Sequence, residues 1–490
     1  MKSGSTISKN FGLAHWMEEV PREAAKTADG FDREAVHDLR VALRRCRSMA
    51  DGFRAIDPYK GWKRMRRQAT GLFDSLGALR DCHVMQEWVH KLGPQGDPLA
   101  RQLSNHLAQQ ETELKAQAKN AIEGFDSRQW RSWIRVLSPR TDRLPAGSEV
   151  YQALALERLN SARRLHWRAL RTLEATTFHR LRIGVKKFRY VVENFLPHHH
   201  EQWKDGLKQA QEFLGEIHDL DVLQEAISQL HAGAPAESRQ RWEQILAGER
   251  QKRVERYREL MAGENSLWKI WRAALPRGEA TRQASFKKLE VWSAFLETDS
   301  RHNDRVARFA VQIFDGLSRL GLLRGSRKAR DVLRAAAVVH EVGRVDGEKN
   351  HHKMTERMVG RIDRPVGWSQ EEVETMAKVA RYHRGTLPHA RKLRDLPPER
   401  RSLIRFLAGI LRLANALDAE RDGCIRRIVI SRNEGFVVIH AEGLQSDTSL
   451  AEQIAAARHL LESACGLPIF VQPPPRPRVQ RKSVRRLLAR

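Results

Sequence analysis

Two stretches of this chain are written to one template, and both are rich in side chains that bind anions. His37-Asp-Leu-Arg40-Val-Ala-Leu-Arg44-Arg45-Cys-Arg47 recurs as His179-Arg-Leu-Arg182-Ile-Gly-Val-Lys186-Lys187-Phe-Arg189, an offset of 142 (37 to 179). Downstream, Leu76-Gly77-Ala-Leu-Arg80-Asp81-Cys-His83-Val-Met85 recurs as Leu214-Gly215-Glu-Ile-His218-Asp219-Leu-Asp221-Val-Leu223, an offset of 138 (76 to 214). Matched blocks in the same order read as a duplicated helical unit with pseudo-twofold symmetry. His37, Arg40, Arg44 and Arg47 are spaced three, four and three residues apart. At about 100° per residue they fall within an arc of about 80° on one helix face. His179, Arg182, Lys186 and Arg189 repeat that face. A single run of this kind reads as a solvated helix surface. Two in register, brought together by a pseudo-dyad, repel each other unless an anion lies between them, so the pattern points to a polyanion site. Asp81 and Asp219 read as structural carboxylates that orient neighbouring arginines or cap a helix.

Helices must position these faces. Leu39, Val41 and Leu43, with Leu181, Ile183 and Val185, are the apolar neighbours expected to seat them in a core. From about Phe11 to Trp271 the chain is dense in good helix formers. Its expected breaks are Pro58, Gly93-Pro94, Pro139, Pro197-His-His-His200 and Ala232-Gly-Ala-Pro235. The histidine triplet 198–200 follows a helix expected to stop at Pro197 and reads as loop. Leu275 to Gln283, carrying Pro276 and Gly278, reads as a junction. Beyond it, helical patterning persists to Asp418. Then Cys424 to Ser431 and Phe436 to Ala441 alternate as strands around a turn at Asn433-Glu-Gly435, Leu450 to Cys465 is helical, and Pro468 to Gln472 is a third strand. The expected fold is mainly α. Residues 11–271 form a duplicated helical bundle, 284–472 a second helical domain with a small C-terminal sheet, antiparallel or mixed, and 473–490 a basic, proline-rich tail.

Composition narrows the function classes. Lys and Arg number 87 against 60 Asp and Glu, for a net charge of +27. Such an excess calls for a polyanionic partner: nucleic acid, a phosphate polymer or an anionic membrane. The tail has seven basic residues, four prolines and no acid, and is expected to be disordered when free and to add nonspecific attraction. Cys46, Cys82, Cys424 and Cys465 are widely spaced and read as reduced thiols of a cytoplasmic protein. No secretory signal and no apolar stretch of membrane-spanning length is apparent. Specific nucleic-acid recognition is not expected, because only Phe188 and Tyr190 interrupt the basic runs and no finger or RNA-recognition motif is present. The absence of a Gly-x4-Gly-Lys-(Ser/Thr) loop, and of Gly-x-Gly-x2-Gly after a strand, argues against an ATP-dependent mechanism.

The repeated His-x-Leu-Arg-x3-basic-basic-x-Arg blocks, each followed by Leu-Gly-x3-Asp, resemble the CHAD family, the conserved histidine α-helical domain, over about residues 11–270. The resemblance implies two helical-bundle halves around a basic cavity that binds inorganic polyphosphate. It would place His37, Arg40, Arg44, Arg45, Arg47, His179, Arg182, Lys186, Lys187 and Arg189 on that cavity. A phosphate chain has no bases to read and needs only a track of guanidinium and ammonium groups, with affinity falling steeply in salt. The second copy departs from the first at Asp219-Leu-Asp221, where the first has Asp81-Cys-His83.

A second set runs His302, His340-Glu341, His351-His352-Lys353, His383-Arg384 and Asp418. Its order resembles the HD phosphohydrolase superfamily, and its flanks resemble the helical C-terminal domain of exopolyphosphatase/guanosine-pentaphosphate phosphohydrolase proteins, over about residues 290–472. The resemblance implies a divalent metal, manganese or magnesium, on His302, His340, Glu341 and Asp418. It leaves His351, His352 and His383 to hold a second metal or to grip phosphate, and Lys353 and Arg384 to contact the phosphate and stabilise developing charge. Glu341 departs from the superfamily's His-Asp pair and reaches one methylene further. The bland alternative is a set of helix-packing residues. Three functions are therefore expected, in this order: polyphosphate binding in metabolism or storage, in the cytoplasm at polyphosphate granules; metal-dependent polyphosphate hydrolysis; and nonspecific nucleic-acid binding.

Overall fold

The computed structural model describes residues 12–229, 235–296, 299–388, 393–445 and 449–474. Phe11, the loop residues 232–234 and the tail from 475 onward lie outside the described residues. The chain divides into two compact units, Met1–Lys288 and Leu289–Arg490.

The first unit is built from α1 (Leu13–Ala28), α2 (Arg33–Arg54), α3 (Lys60–Leu92), α4 (Pro98–Glu123) and α5 (Ser127–Thr141). These are followed by α6 (Glu149–Thr172), α7 (Ala175–Phe195), α8 (Pro197–Gln229), α9 (Ala236–Met261) and α10 (Leu267–Ala273). The duplication is visible in the packing. α1 to α4 contact one another in sequence, and α6 to α9 repeat that order. Across the pseudo-dyad, α2 meets α7, α3 meets α8 and α4 meets α9, each helix against its own copy.

Local sequence accounts for the carrier helices. Asp32 caps α2, its Oδ1 accepting from the Glu34 and Ala35 amides at 2.8 and 3.0 Å. Val36, Leu39, Leu43, Cys46, Ala50 and Phe53 form its buried stripe at helical spacing. Leu181, Val185, Phe188 and Val192 do the same on α7. Two of the expected seating residues differ: Val41 is half-buried and Ile183 is 39% exposed. A step of two residues turns a helical side chain about 200° away from its neighbours, so these two face outward. The crossing of α2 and α7 is tight. A Cβ at Gly52 would lie 2.4 Å from the Phe195 ring, which itself stacks on Tyr151. Met85 and Leu223, which end the second block and its copy, join one buried cluster with Trp88, Ile227, Leu103 and Trp242.

Two proline expectations are corrected. Pro197 opens α8, so His198–His200 lie in its first turn instead of in a loop, as suits a residue whose missing N–H costs nothing there. Pro139 lies inside the last turn of α5 instead of ending it earlier.

The second unit begins within α11 (Gly278–Leu296) and continues with α12 (Ser300–Arg319), α13 (Arg327–Val339), a 3-10 turn (Val342–Asp346) and α14 (His351–Val359). Next come α15 (Gln370–Arg381), α16 (Pro398–Ala416), β1 (Arg427–Asn433), β2 (Phe436–Glu442), α17 (Ser449–Cys465) and β3 (Ile469–Gln472). The sheet is mixed, as β1 pairs antiparallel with β2 and β3 joins β2 in parallel. α12, α13, α15 and α16 pack around one interior, with β1 against α12 and α17 against α16. No helix among the described residues is long and apolar enough to cross a membrane.

Candidate functional site

In the first unit the α2–α7 crossing brings Arg40 and Arg44 within electrostatic reach of Arg182 and Lys186, all four half-buried. None of the four makes an ion pair among the described residues, and Arg182 Nε is buried without a hydrogen-bond partner. Burial, reinforced by Arg182, Arg44 and Arg40 and only partly opposed by Asp219, draws the Lys186 ammonium down to about 7. Burial likewise brings the Arg40 guanidinium down to about 10. Arg40 Nη1 donates to the Phe73 carbonyl at 3.0 Å, and its guanidinium lies 4.3 Å from the Phe73 ring centre. Gly77 leaves it room, since a Cβ there would come within 3.1 Å of Arg40 Nη1.

The remaining expected basic residues have other placements. Arg45 pairs with Glu193 at 2.5 Å, Arg189 pairs with the same carboxylate at 3.7 Å, and Arg47 pairs with Asp74 at 3.7 Å while stacking on Phe73 at 4.1 Å. Lys187 and His37 are exposed. His179 is also exposed, and its Nδ1 lies 3.4 Å from Nδ1 of His218 on α8. Sequence reasoning missed His218; it stands where the first copy has Arg80, and that mismatch was the available signal. Burial, then Arg182 and His179, hold it down to about 4. Asp81 and Asp219 both sit among these cations, and burial lifts the Asp219 carboxyl to about 6. At the point of departure between the copies, His83 meets Glu111 at 3.4 Å and Asp221 accepts from Arg250 at 2.6 Å, both on the flanking helices.

In the second unit the ends of four helices converge. His302 comes from the first turn of α12, His340-Glu341 from the end of α13, His351 from the start of α14 and His383 from just beyond α15. All five are buried. Gly343 permits the turn after Glu341, because a Cβ there would come within 2.2 Å of the His351 carbonyl. Each imidazole has one tautomer fixed from outside. A carbonyl or carboxylate oxygen only accepts, so the Nδ1 of His340 donates to Ala337 (2.7 Å), that of His351 to Glu348 (2.9 Å), that of His383 to Ala380 (2.7 Å) and that of His302 to Asp418 (2.7 Å). All four Nε2 atoms are thereby turned inward. Those of His351 and His383 face each other at 3.2 Å. Those of His302 and His340 each lie 3.1 Å from the Asn415 side-chain oxygen position, a place an amide NH2 would also fill. Burial keeps His340 down to about 4 and His383 well below the usual imidazole range, so both stay neutral.

Ligand atoms of His302, His340 and Glu341 lie within 4.8 Å of one another, as do those of Glu341, His351 and His383. Two metal-capable groups thus share Glu341. Burial works to raise its carboxyl, but His340, Arg421 and His302 outweigh that and hold it down to about 2. Asp418 is in neither group. Its Oδ2 takes the His302 proton and its Oδ1 takes Arg305 Nε at 2.6 Å, so it orients a histidine from behind. Asn415, three residues earlier on α16, occupies the position among the histidines that sequence reasoning gave to Asp418. His352 is half-buried and is held to about 4 by burial and by Arg381, whereas Lys353 and Arg384 are exposed.

Comparison with known proteins agrees with this division. The family described as CHAD domain matches residues 13–228, and the family described as Ppx/GppA phosphatase, domain III, matches residues 281–452. The crystal structure of the CHAD domain from the plant Ricinus communis is similar to this chain at 22% identity, covering 56% of this chain and 94% of that one with a TM-score of 0.37. No curated protein matches. The chain carries a CHAD domain followed by a Ppx/GppA domain III, a pair that fits a polyphosphate-related function.

Proposed function

We propose that this protein binds inorganic polyphosphate through the basic face at the α2–α7 crossing, in polyphosphate metabolism or storage. One observation carries the reading: among the described residues Arg40, Arg44, Arg182 and Lys186 close no ion pair, Asp81 and Asp219 offset their charge only in part, and Arg182 Nε is buried with no acceptor. Charges held like this favour a ligand that brings one negative charge per repeat unit. The Phe73 ring at this face already carries the Arg40 and Arg47 guanidiniums, so cations rather than a base occupy it. Phosphate chemistry therefore suits the site better than nucleotide bases do.

Replacing Arg40, Arg44, Arg182 and Lys186 together by Gln should weaken polyphosphate binding by at least about a hundredfold and reduce the salt slope by roughly three to four. Replacing Arg45, which pairs with Glu193, should have little effect. An unchanged slope in the fourfold variant would place the polyanion elsewhere.

Proton linkage gives an independent check. Free Lys186 holds its proton only below about 7, whereas a bound polyanion restores it. Binding therefore takes up a proton above pH 7, and affinity should fall between pH 7 and 9 by up to about tenfold per unit. Asp219, lifted to about 6, acts in the same direction by losing its charge as pH falls through that value. Lys186→Arg, charged throughout, should flatten the profile above pH 7; an unaltered slope would sink the assignment of Lys186.

A second reading, metal-dependent phosphohydrolysis in the second unit, is favoured by the His351–His383 contact. With both Nδ1 atoms engaged by carbonyls, two Nε2 atoms facing each other at 3.2 Å are placed to share one cation. Glu341, His351 and His383 would hold such an ion, His302, His340 and Glu341 would hold another, and these imidazole-rich sets suit a transition metal better than magnesium. A divalent ion there would polarise a phosphoryl oxygen and make water a better nucleophile. Asp418 and the carbonyls of Ala337, Glu348 and Ala380 orient the imidazoles, while His352, Lys353 and Arg384 lie at or near the surface beside them for phosphate contact. A gel of long-chain polyphosphate should show ladder shortening only with manganese, and none with His340→Ala. A retarded but intact chain under both conditions would rule this second reading out.

A further inference from the structure

Arg421 follows α16 in the left-handed region, at φ 59°, a conformation disfavoured for a residue that carries a Cβ. The surrounding structure holds it there. Its N–H donates to the Asp418 carbonyl at 3.1 Å, and its own carbonyl accepts from Arg305 Nη2 at 2.9 Å. Arg305 also grips Asp418, the carboxylate behind His302. So fixed, the Arg421 guanidinium bridges two carboxylates. Nη1 donates to Asp299 Oδ2 at 2.7 Å, and Asp299 caps the helix that carries His302. Nη2 donates to Glu341 Oε2 at 2.6 Å. Arg344 Nη1 reaches the same oxygen at 3.0 Å, and that oxygen lies 4.0 Å from His302 Nε2.

Glu341 is the one residue common to both metal-capable groups, and two guanidiniums already sit on one of its oxygens. Resting on the metal-centre reading above, we propose that Arg421 sets the divalent-ion affinity of this centre. Its guanidinium occupies the cation position at Glu341, competes there with a divalent ion and becomes available to a phosphate oxyanion when the ion takes the carboxylate. The chemistry fits, because a guanidinium that forks onto a carboxylate forks equally well onto phosphate. A divalent ion and a phosphate should then bind synergistically, each releasing the partner that the other needs, and the coupling must be reciprocal.

The test is titration of the full chain with manganese alone, following free manganese by electron paramagnetic resonance, with and without inorganic phosphate. Arg421→Gln should bind manganese about tenfold more tightly than the wild type, the effect expected for removing one charge-assisted contact on the ligand. Phosphate should tighten manganese binding about fivefold in the wild type and not in the variant. Arg344→Gln, which removes the second guanidinium and leaves the left-handed residue untouched, should shift manganese affinity in the same direction. Equal or weaker manganese binding by both variants, or the same phosphate effect in all three proteins, would overturn the proposal and leave the metal centre standing. No manganese binding by any of them would remove the metal reading along with it.

Discussion

Repulsion among Arg40, Arg44, Arg182 and Lys186 is the constraint around which the first unit is arranged. The duplicated helices have to cross closely to build a common core, and Gly52 at the Phe195 ring allows that approach. The same crossing forces the two basic faces together. The fold answers in three ways. Glu193 and Asp74 neutralise the outer cations Arg45, Arg189 and Arg47. Asp81 and Asp219 stand among the inner ones without closing an ion pair. Lys186 gives up its proton more readily than an exposed lysine does. What remains is a half-buried cationic surface whose strain a polyanion would relieve, so that on the proposed reading ligand affinity and the cost of building the site share one physical origin.

The second unit deals with the opposite problem. Its interior gathers lone pairs, and it does so by fixing protons on the outside. The helix-end carbonyls of Ala337 and Ala380, the Glu348 carbonyl in the turn before α14 and Asp418 each take an Nδ1–H, which leaves four Nε2 atoms facing inward. Because these contacts come from the helix termini, α12 to α16 have to end where they do, and Gly343 and the left-handed Asn350 and Arg421 are the turns that let them. Arg305, Arg344 and Arg421 balance the two buried carboxylates.

Much of this was legible in the sequence because helical spacing is a local property. The three-four-three steps of the basic blocks, the offset of their copies and the change to strand alternation after Asp418 each depend only on neighbouring residues. The parts that were not legible depend on partners supplied by other helices. Nothing in the spacing distinguishes Arg44, which makes no ion pair, from Arg45, which pairs with Glu193 almost 150 residues away. His218 was hidden because it replaces an arginine in an imperfect copy, and Phe73 because it reaches Arg40 and Arg47 from the next helix. Asn415 and Asp418 are three residues apart at a helix end, so periodicity places both near the histidines and leaves their order of approach undecided. Pro197 was read as a stop, although proline is equally at home in a first helical turn.

The central claim is that the α2–α7 crossing is where the phosphate chain lies. A crystal structure of the full chain with a short-chain polyphosphate tests it most directly. The account predicts phosphate density in contact with Arg40, Arg44, Arg182 and Lys186, with an acceptor oxygen at Arg182 Nε. Density confined to other basic surfaces, such as the exposed arginines of α5, with the four central side chains still bare, would contradict it.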